Sequence, residues 1–203
     1  GPGLFLAIMW VHPVVLAVTW AHSIIWGTRI PAAELERGTI DVLMGLPVSR
    51  ARLYVLESVT WVLGAAVVVG LGVLGNKLGS MAVNSDMRAP MGTMIIAACS
   101  LYTLMIAVGA LAWLVSSLSD RRGKAITIVF VIVVASVLVN YLAQLWKPAE
   151  KLAVFSLVHY HRPIDVFNTG KWPARDMAVL LGFAAACWVA GLLVFSRRDL
   201  RTV

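Results

Sequence analysis

The run Ala125-Ile-Thr-Ile-Val-Phe-Val-Ile-Val-Val-Ala-Ser-Val-Leu-Val-Asn140-Tyr-Leu-Ala-Gln-Leu-Trp146 contains no charged side chain, and Arg121-Arg122-Gly-Lys124 and Lys147 close on its two ends. About 20 consecutive apolar residues are what a helix needs to cross a hydrocarbon layer roughly 30 Å thick. Four more stretches read the same way, at 4–26, 53–75, 92–118 and 177–195. Barrel strands would instead show short alternating segments separated by turns, and none stand out. In lipid, where backbone groups find no water, a helix satisfies its own. The sequence therefore predicts an all-α integral membrane protein, a single transmembrane domain over 1–203 built as a bundle of five helices.

Composition agrees. Hydrophobic residues are 60% and charged residues 13% of the chain, against about 45–50% and about 25% in soluble domains. The net charge of +7 is carried in clusters that abut the apolar runs. That pattern orients helices in a bilayer and is not the groove-tracking patch of a nucleic-acid binder. The lipid bilayer is thus an expected partner and nucleic acid is not. Cys99 and Cys187 sit inside apolar runs and read as small buried hydrophobes. Gly1-Pro2-Gly3 leads straight into the first run without a basic segment, so no cleavable signal is expected.

Orientation follows from the Lys and Arg residues. Arg29, Arg37, Arg50, Arg52, Arg121, Arg122, Lys124, Arg197, Arg198 and Arg201 fall in 28–52, 116–124 and 196–203, which is ten of the 17, leaving seven on the other side. The ten lie close to span ends, where positive charge favours the cytoplasm most strongly. The loop 28–52 is then cytoplasmic and the loop 147–175 extracytoplasmic. Within the latter, residues 152–160 are apolar but too short to span, which suggests a re-entrant or surface-lying segment between the interfacial Trp146 and Trp172. Pro13 should kink the first span. Gly64, Gly70, Gly72 and Gly75 suggest close helix packing.

The loop Pro31-Ala-Ala-Glu34-Leu35-Glu36-Arg37-Gly38-Thr39-Ile40-Asp41-Val42-Leu43-Met44-Gly45-Leu46-Pro47-Val48-Ser49-Arg50 carries the functional reading. Pro31 suits a first turn, and Glu34 and Glu36 favour a helix N-terminus. Leu35, Thr39, Val42, Leu43 and Leu46 share one face, Arg37 and Asp41 are spaced i,i+4, and Gly45 and Pro47 stop the helix. An amphipathic helix over 34–46 is expected, with Gly38 inside it.

This string resembles the loop between the second and third spans of type-2 ABC exporter permeases, where a Glu, a Gly-Thr pair, a Leu-rich turn and Pro-x-Ser-Arg recur. Phe195-Ser-Arg-Arg-Asp-Leu200 resembles the cytoplasmic end after that family's last span. The order of spans and the long outer loop before the last one extend the likeness over essentially the whole chain. The resemblance implies a permease subunit of an ATP-driven exporter in a prokaryotic plasma membrane. It implies a second permease copy or a homologous permease beside it, and a separate ABC ATPase that binds ATP and Mg. Glu34, Leu35, Glu36, Arg37, Gly38, Thr39, Val42 and Leu43 would form its coupling helix to that ATPase. Independently, no Gly-x-x-x-x-Gly-Lys-Ser/Thr phosphate loop occurs in the sequence, so no cofactor is expected in this chain and ATP hydrolysis belongs elsewhere. Two features depart from the family. Six spans are typical, so a further N-terminal span is expected. Glu57 also stands where many members carry a basic residue.

A few polar residues invite functional readings. His12 and His22 lie ten apart in the first span and either line a polar path or bond to neighbouring helices. Glu57, little more than a turn into its span, is a pathway group or a carboxylate reaching water or a nearby Arg. Asn140, with Gln144, should face other helices. His159-x-His161 near Asp165 lacks a further ligand array and reads as packing rather than a metal site. No catalytic arrangement rises above background. The alternatives to an exporter permease are an ion-gradient transporter using His12, His22 and Glu57, and a membrane scaffold working with an ATPase.

Overall fold

The structure is a computed structural model and describes residues 2–40, 42, 45, 47–82 and 88–198. Two helices, α1 (Pro2–Val11) and α2 (Pro13–Gly27), form one bent rod. After a wide turn at Arg29–Ala33 comes the single-turn α3 (Glu34–Arg37), then α4 (Arg50–Ser80), α5 (Met91–Leu118) and α6 (Arg122–Leu145). Two short helices, α7 (Lys147–Ala153) and α8 (Pro163–Thr169), flank a 3-10 turn at Val158–Tyr160 before α9 (Ala174–Arg197). The rod Phe5–Gly27, α4, α5, α6 and α9 are each long and apolar enough to cross a membrane. Among the described residues no strand occurs.

The bend between α1 and α2 has a local cause. Pro13 has no N–H to donate, and His12 is extended (φ −64°, ψ 131°). The His12 Nδ1 then accepts from the Val14 N–H at 3.3 Å and caps α2. Val14 would otherwise have closed the helical bond to the Trp10 carbonyl. That oxygen is free, and the Nε2 of His161 sits 3.0 Å from it.

Helix α5 is the core. Between Met94 and Ser117 most of its residues are buried on every side, which is how a helix surrounded by protein reads. All three hydrophobic clusters among the described residues draw on it, and α9, α2, α4 and α6 pack around it. Lipid tails are as apolar as leucine, so close packing rather than water exclusion holds such helices together. Small residues permit that approach. A Cβ added to Gly27 would lie 2.6 Å from that of Ala112, one at Gly109 would collide with the Trp61 indole, and one at Gly191 with the Tyr54 hydroxyl. Tyr54, Trp113, Trp188 and Phe195 form an aromatic knot beside these contacts, with the Tyr54 and Trp113 rings edge-on at 4.7 Å.

This corrects the reading of the α4 glycines. Gly70 and Gly75 meet no atom within 4 Å, Gly72 only a Met9 methyl at 3.7 Å and Gly64 the His22 ring at 3.4 Å. Tight packing uses Gly27, Gly109 and Gly191 instead. Helix α4 turns much of its length outward. Val55, Leu56, Val59, Leu63, Val67, Leu71, Leu74, Leu78 and Met81 are all exposed. Both cysteines are free thiols.

The segment 147–173 does not cross the bundle. It folds back as short helices, with α7 against α6 and α8 against α1 and α5, and it buries Ala149, Ala153, Leu157 and Val166.

Candidate functional site

Two places gather polar chemistry, one at each end of the bundle. The first holds the loop between α2 and α4 and the turn between α5 and α6. Here the expected long helix is interrupted. Gly38 has φ +69° and ψ 12°, so α3 ends at Arg37. The Gly38 N–H donates to the Leu35 carbonyl and the Thr39 N–H to that of Glu34, both at 3.1 Å. This paired closure is the Schellman motif, which glycine permits because no Cβ opposes a left-handed conformation. Leaving Gly38 inside a helix would have cost about 1 kcal/mol relative to Ala; ending the helix there avoids that cost. Thr39 also bonds the Glu34 carboxylate through its hydroxyl, and Arg37 lies 3.9 Å from Glu34. The expected partner Asp41, and Leu43 and Leu46 of the expected apolar face, lie outside the described residues. Of that face, Leu35 is half-buried and Val42 is 71% exposed. The anchoring side chain is Ile40, fully buried, aided by Ile30, Ala32 and Ala33. Pro31 does not begin a helix. It follows a cis peptide bond in a turn where Ile30 is extended.

Helix termini leave N–H groups and carbonyls without intrahelical partners, and this end laces its termini together with charged side chains. Glu36 accepts the Arg122 N–H at 2.8 Å, so the loop's carboxylate caps the N-terminus of α6, where the helix dipole favours negative charge. The Arg122 guanidinium reaches the Ile25 carbonyl at the C-terminus of α2, 3.2 Å away. The Ser116 hydroxyl accepts from the Ala32 N–H at 3.2 Å. Arg198 donates to the Ser117 and Ser119 carbonyls at 2.9 and 3.2 Å, closing the C-terminus of α5, and pairs with Asp120. Its own carbonyl accepts from Arg50 at 2.6 Å. Glu57 lies 3.8 Å from Arg29, which stacks over Trp26. Glu57 thus has a neighbouring Arg within ion-pair distance. Sequence reading missed Arg122, Arg198, Asp120 and Ser116. The two arginines stood out only as topological charges, and the signal for more was their placement just beyond helix ends.

The second place is a cavity of about 570 Å³ at the opposite end, between the α1–α2 bend, the last turns of α6 and the segment before α8. Asn140, Gln144, His159, His161, Arg162 and Asp165 line it, with Val11, Leu16, Val158, Pro163 and Ile164 supplying apolar wall. His161 is buried, with Ser100 Oγ 3.0 Å from its Nδ1 and the Trp10 carbonyl 3.0 Å from its Nε2. Burial pushes its pKa down to about 4, against the opposing pull of the Trp10 carbonyl, so the ring is neutral and its Nε2–H donates to that carbonyl. Burial, then the adjacent Arg162 charge, also lowers the pKa of His159, whose carbonyl and Nε2 both meet the Arg162 guanidinium. The two histidines pack and bond, and among the described residues no group of three metal-ligating side chains forms.

The candidate pathway residues are not brought together. Asn140 lines this cavity, while Glu57 is at the far end beside Arg29. His12 is an exposed cap at the bend, so the bend breaks the helical register that would have aligned it with His22. His22 lies against Gly64, its Nε2 buried without a hydrogen-bond partner among the described residues. A separate apolar cavity of about 490 Å³ opens between α4, α5 and α9 beside Trp61 and Trp188.

Comparison with curated proteins and with solved structures gave no match. The family model described as ABC-2 family transporter protein matches residues 4–200. That match covers nearly the whole chain, and five membrane-length helices agree with it. The chain belongs to the ABC-2 transporter family, as a multi-pass membrane permease subunit of an ABC transporter whose nucleotide-binding domain lies in a partner.

Proposed function

We propose that this subunit is the permease of an ATP-driven exporter and receives the ATPase stroke through the loop 28–52. The observation that carries this reading is the lacing of that loop. Glu36 holds the first residue of α6, Ala32 bonds the end of α5, and Arg29 pairs with Glu57 of α4. A push on α3 therefore reaches three long helices through direct bonds. Exposed Val42, Glu36 and Arg37 offer an apolar and charged surface for the ATPase, and Glu34 holds the turn beneath them through Thr39. In this reading the loop end, whose basic clusters abut the spans, faces the cytoplasm of a prokaryotic cell, and 147–175 lies outside its inner membrane. ATP and Mg bind in the partner, and a second permease, identical or homologous, completes the path. The ion-gradient alternative ranks second because His12, His22 and Glu57 sit at three separate places, and a scaffold without transport gives the loop no stroke to transmit.

The test is co-purification of the ATPase and reconstituted transport for Gly38→Trp and Glu34→Arg. Both variants should keep the bundle folded while transport per ATP hydrolysed falls by about tenfold or more, the loss of one charge-assisted contact or of the turn. Parental ATPase binding and transport in both variants would remove the coupling role.

A further inference from the structure

The cavity at the outer end of α6 has an unusual polar inventory for a membrane protein. Asn140 and Gln144 stand one turn apart on one face of α6, and among the described residues neither amide has a hydrogen-bond partner. Polar groups at membrane depth normally find partners or face a water-filled space. The cavity also holds one full charge of each sign. Arg162 uses its Nε and one Nη2 bond on His159, leaving further donors. Asp165 makes no ion pair among the described residues, whose pairs are Arg29–Glu57, Arg37–Glu34 and Arg198–Asp120. Arg162 and Asp165 therefore stand apart in one pocket without neutralising each other. His159 and His161 are held neutral and add no charge.

Depth narrows the ligand further. Tyr141, Trp146, Phe155 and Trp172 are all exposed at this same end. Aromatic side chains in that position mark the level of lipid headgroups. Below the polar groups, Val11 and Leu16 give the cavity an apolar wall.

We infer that this cavity binds a zwitterion that joins a primary amine to a phosphate, the chemistry of a phosphoethanolamine lipid headgroup. Arg162 takes the phosphate as a charge-assisted pair, Asp165 takes the ammonium, and the Asn140 and Gln144 amides bond the ester and glycerol oxygens. A purely anionic headgroup leaves Asp165 opposed and unpaired. A quaternary ammonium has no N–H for Asp165, and the lining has no aromatic cage to replace that bond. The ligand is thus distinguished from both of its common lipid neighbours. The inference concerns binding alone and stands whether or not the bound species is exported.

The experiment uses the full-length permease in detergent micelles doped with phosphatidylethanolamine, phosphatidylcholine or phosphatidylglycerol of identical acyl chains. Bound lipid is counted by native mass spectrometry, without ATP or transport. The parent should retain phosphatidylethanolamine about tenfold more strongly than either other lipid, the worth of one charge-assisted contact. Asp165→Asn and Arg162→Gln, both at exposed positions and checked for unchanged helicity, should each erase most of that preference. Soluble glycerophosphoethanolamine in large excess separates the two sources of this chemistry. Displacement of the lipid assigns recognition to the headgroup alone, open to a free zwitterion, and failure to displace it assigns the site to the whole lipid. Equal retention of the three lipids by the parent, or an unchanged preference in both variants, overturns the inference.

Discussion

The two ends of this molecule treat polar groups in opposite ways. At the end carrying the α2–α4 loop, several charged side chains are spent on helix termini: Glu36 on α6, Arg122 on α2, and Arg198 on α5 and on Asp120. At the other end, two amides and a carboxylate stand around an open cavity without partners among the described residues. A satisfied network fixes relative positions, because each bond lost leaves an orphan costing about 1–3 kcal/mol. An unsatisfied set does the reverse and leaves binding capacity for something that arrives. One end ties its helices together through side-chain bonds, the other leaves polar groups around a cavity, and α5 runs between the two.

That contrast can be broken most severely through α5 itself. Gly109→Ala places a methyl group into the Trp61 indole, and overpacking of a close-packed core costs about 1–3 kcal/mol or more. The thermal midpoint in detergent should fall, and both ends should lose function together. Gly70→Ala adds the same methyl in open space and should leave the midpoint unchanged or raised. Equal behaviour of the two variants would show that the Trp61–Gly109 contact does not organise the core.

A smaller effect separates the ends. Arg198→Ala strands the Ser117 and Ser119 carbonyls but keeps its own backbone carbonyl for Arg50, and should destabilise the protein by about 1.5–3 kcal/mol, the range for bonds to charged groups. Asp120→Asn removes only the partner that is 73% exposed, and exposed ion pairs contribute about 0–1 kcal/mol. Thermal denaturation of both variants decides this, and lipid binding at the far cavity should stay at the parental level in each. If Asp120→Asn proves the more damaging, the carbonyl caps are not what Arg198 is for.

The smallest effect belongs to the cavity end and depends on pH. Burial pushes the pKa of His161 down from its ordinary 6.5 to about 4 in the fold. Between those values the unfolded chain binds a proton that the folded one refuses, so stability is full above pH 6.5 and declines as the pH falls towards about 4. His161→Gln keeps a donor for the Trp10 carbonyl and removes the titration. Its thermal midpoint should therefore fall less than the parent's across that window. His159 shifts in the same direction and is present in both proteins, so the difference isolates residue 161. Parallel pH profiles would show that His161 is solvated.

What could be read in advance tracks how local the physics is. Pro13 and the long apolar runs act through their own backbone and neighbours, and the bend and the helices appear where the sequence points to them. Gly38 was misread because Leu35, Thr39 and Val42 keep helical spacing across it. Only the left-handed backbone, with its two closing bonds, distinguishes an end from a tolerated interior glycine. Arg122 and Arg198 were legible as charges, yet the carbonyls they cap belong to helices distant in sequence. At the cavity, Asn140 stood out as an amide in an apolar run. Arg162 looked like an ordinary loop charge, and Asp165 only a neighbour of the two histidines, until the chain folded back over α6.

The length of α4 ties this protein to the thickness of its membrane. Its 31 residues make a rod about 46 Å long at ~1.5 Å per residue. The outward stripe from Val55 to Met81 runs about 39 Å by the same measure, against a hydrocarbon layer of roughly 30 Å. Such a stripe is kept out of water by a tilt of the rod, by a locally thicker bilayer or by both. Longer acyl chains would let the rod stand more upright, and shorter ones would press it flatter. Trp61 seated on Gly109, and Glu57 beside Arg29, travel with the rod, so a change of bilayer thickness bears on both contacts.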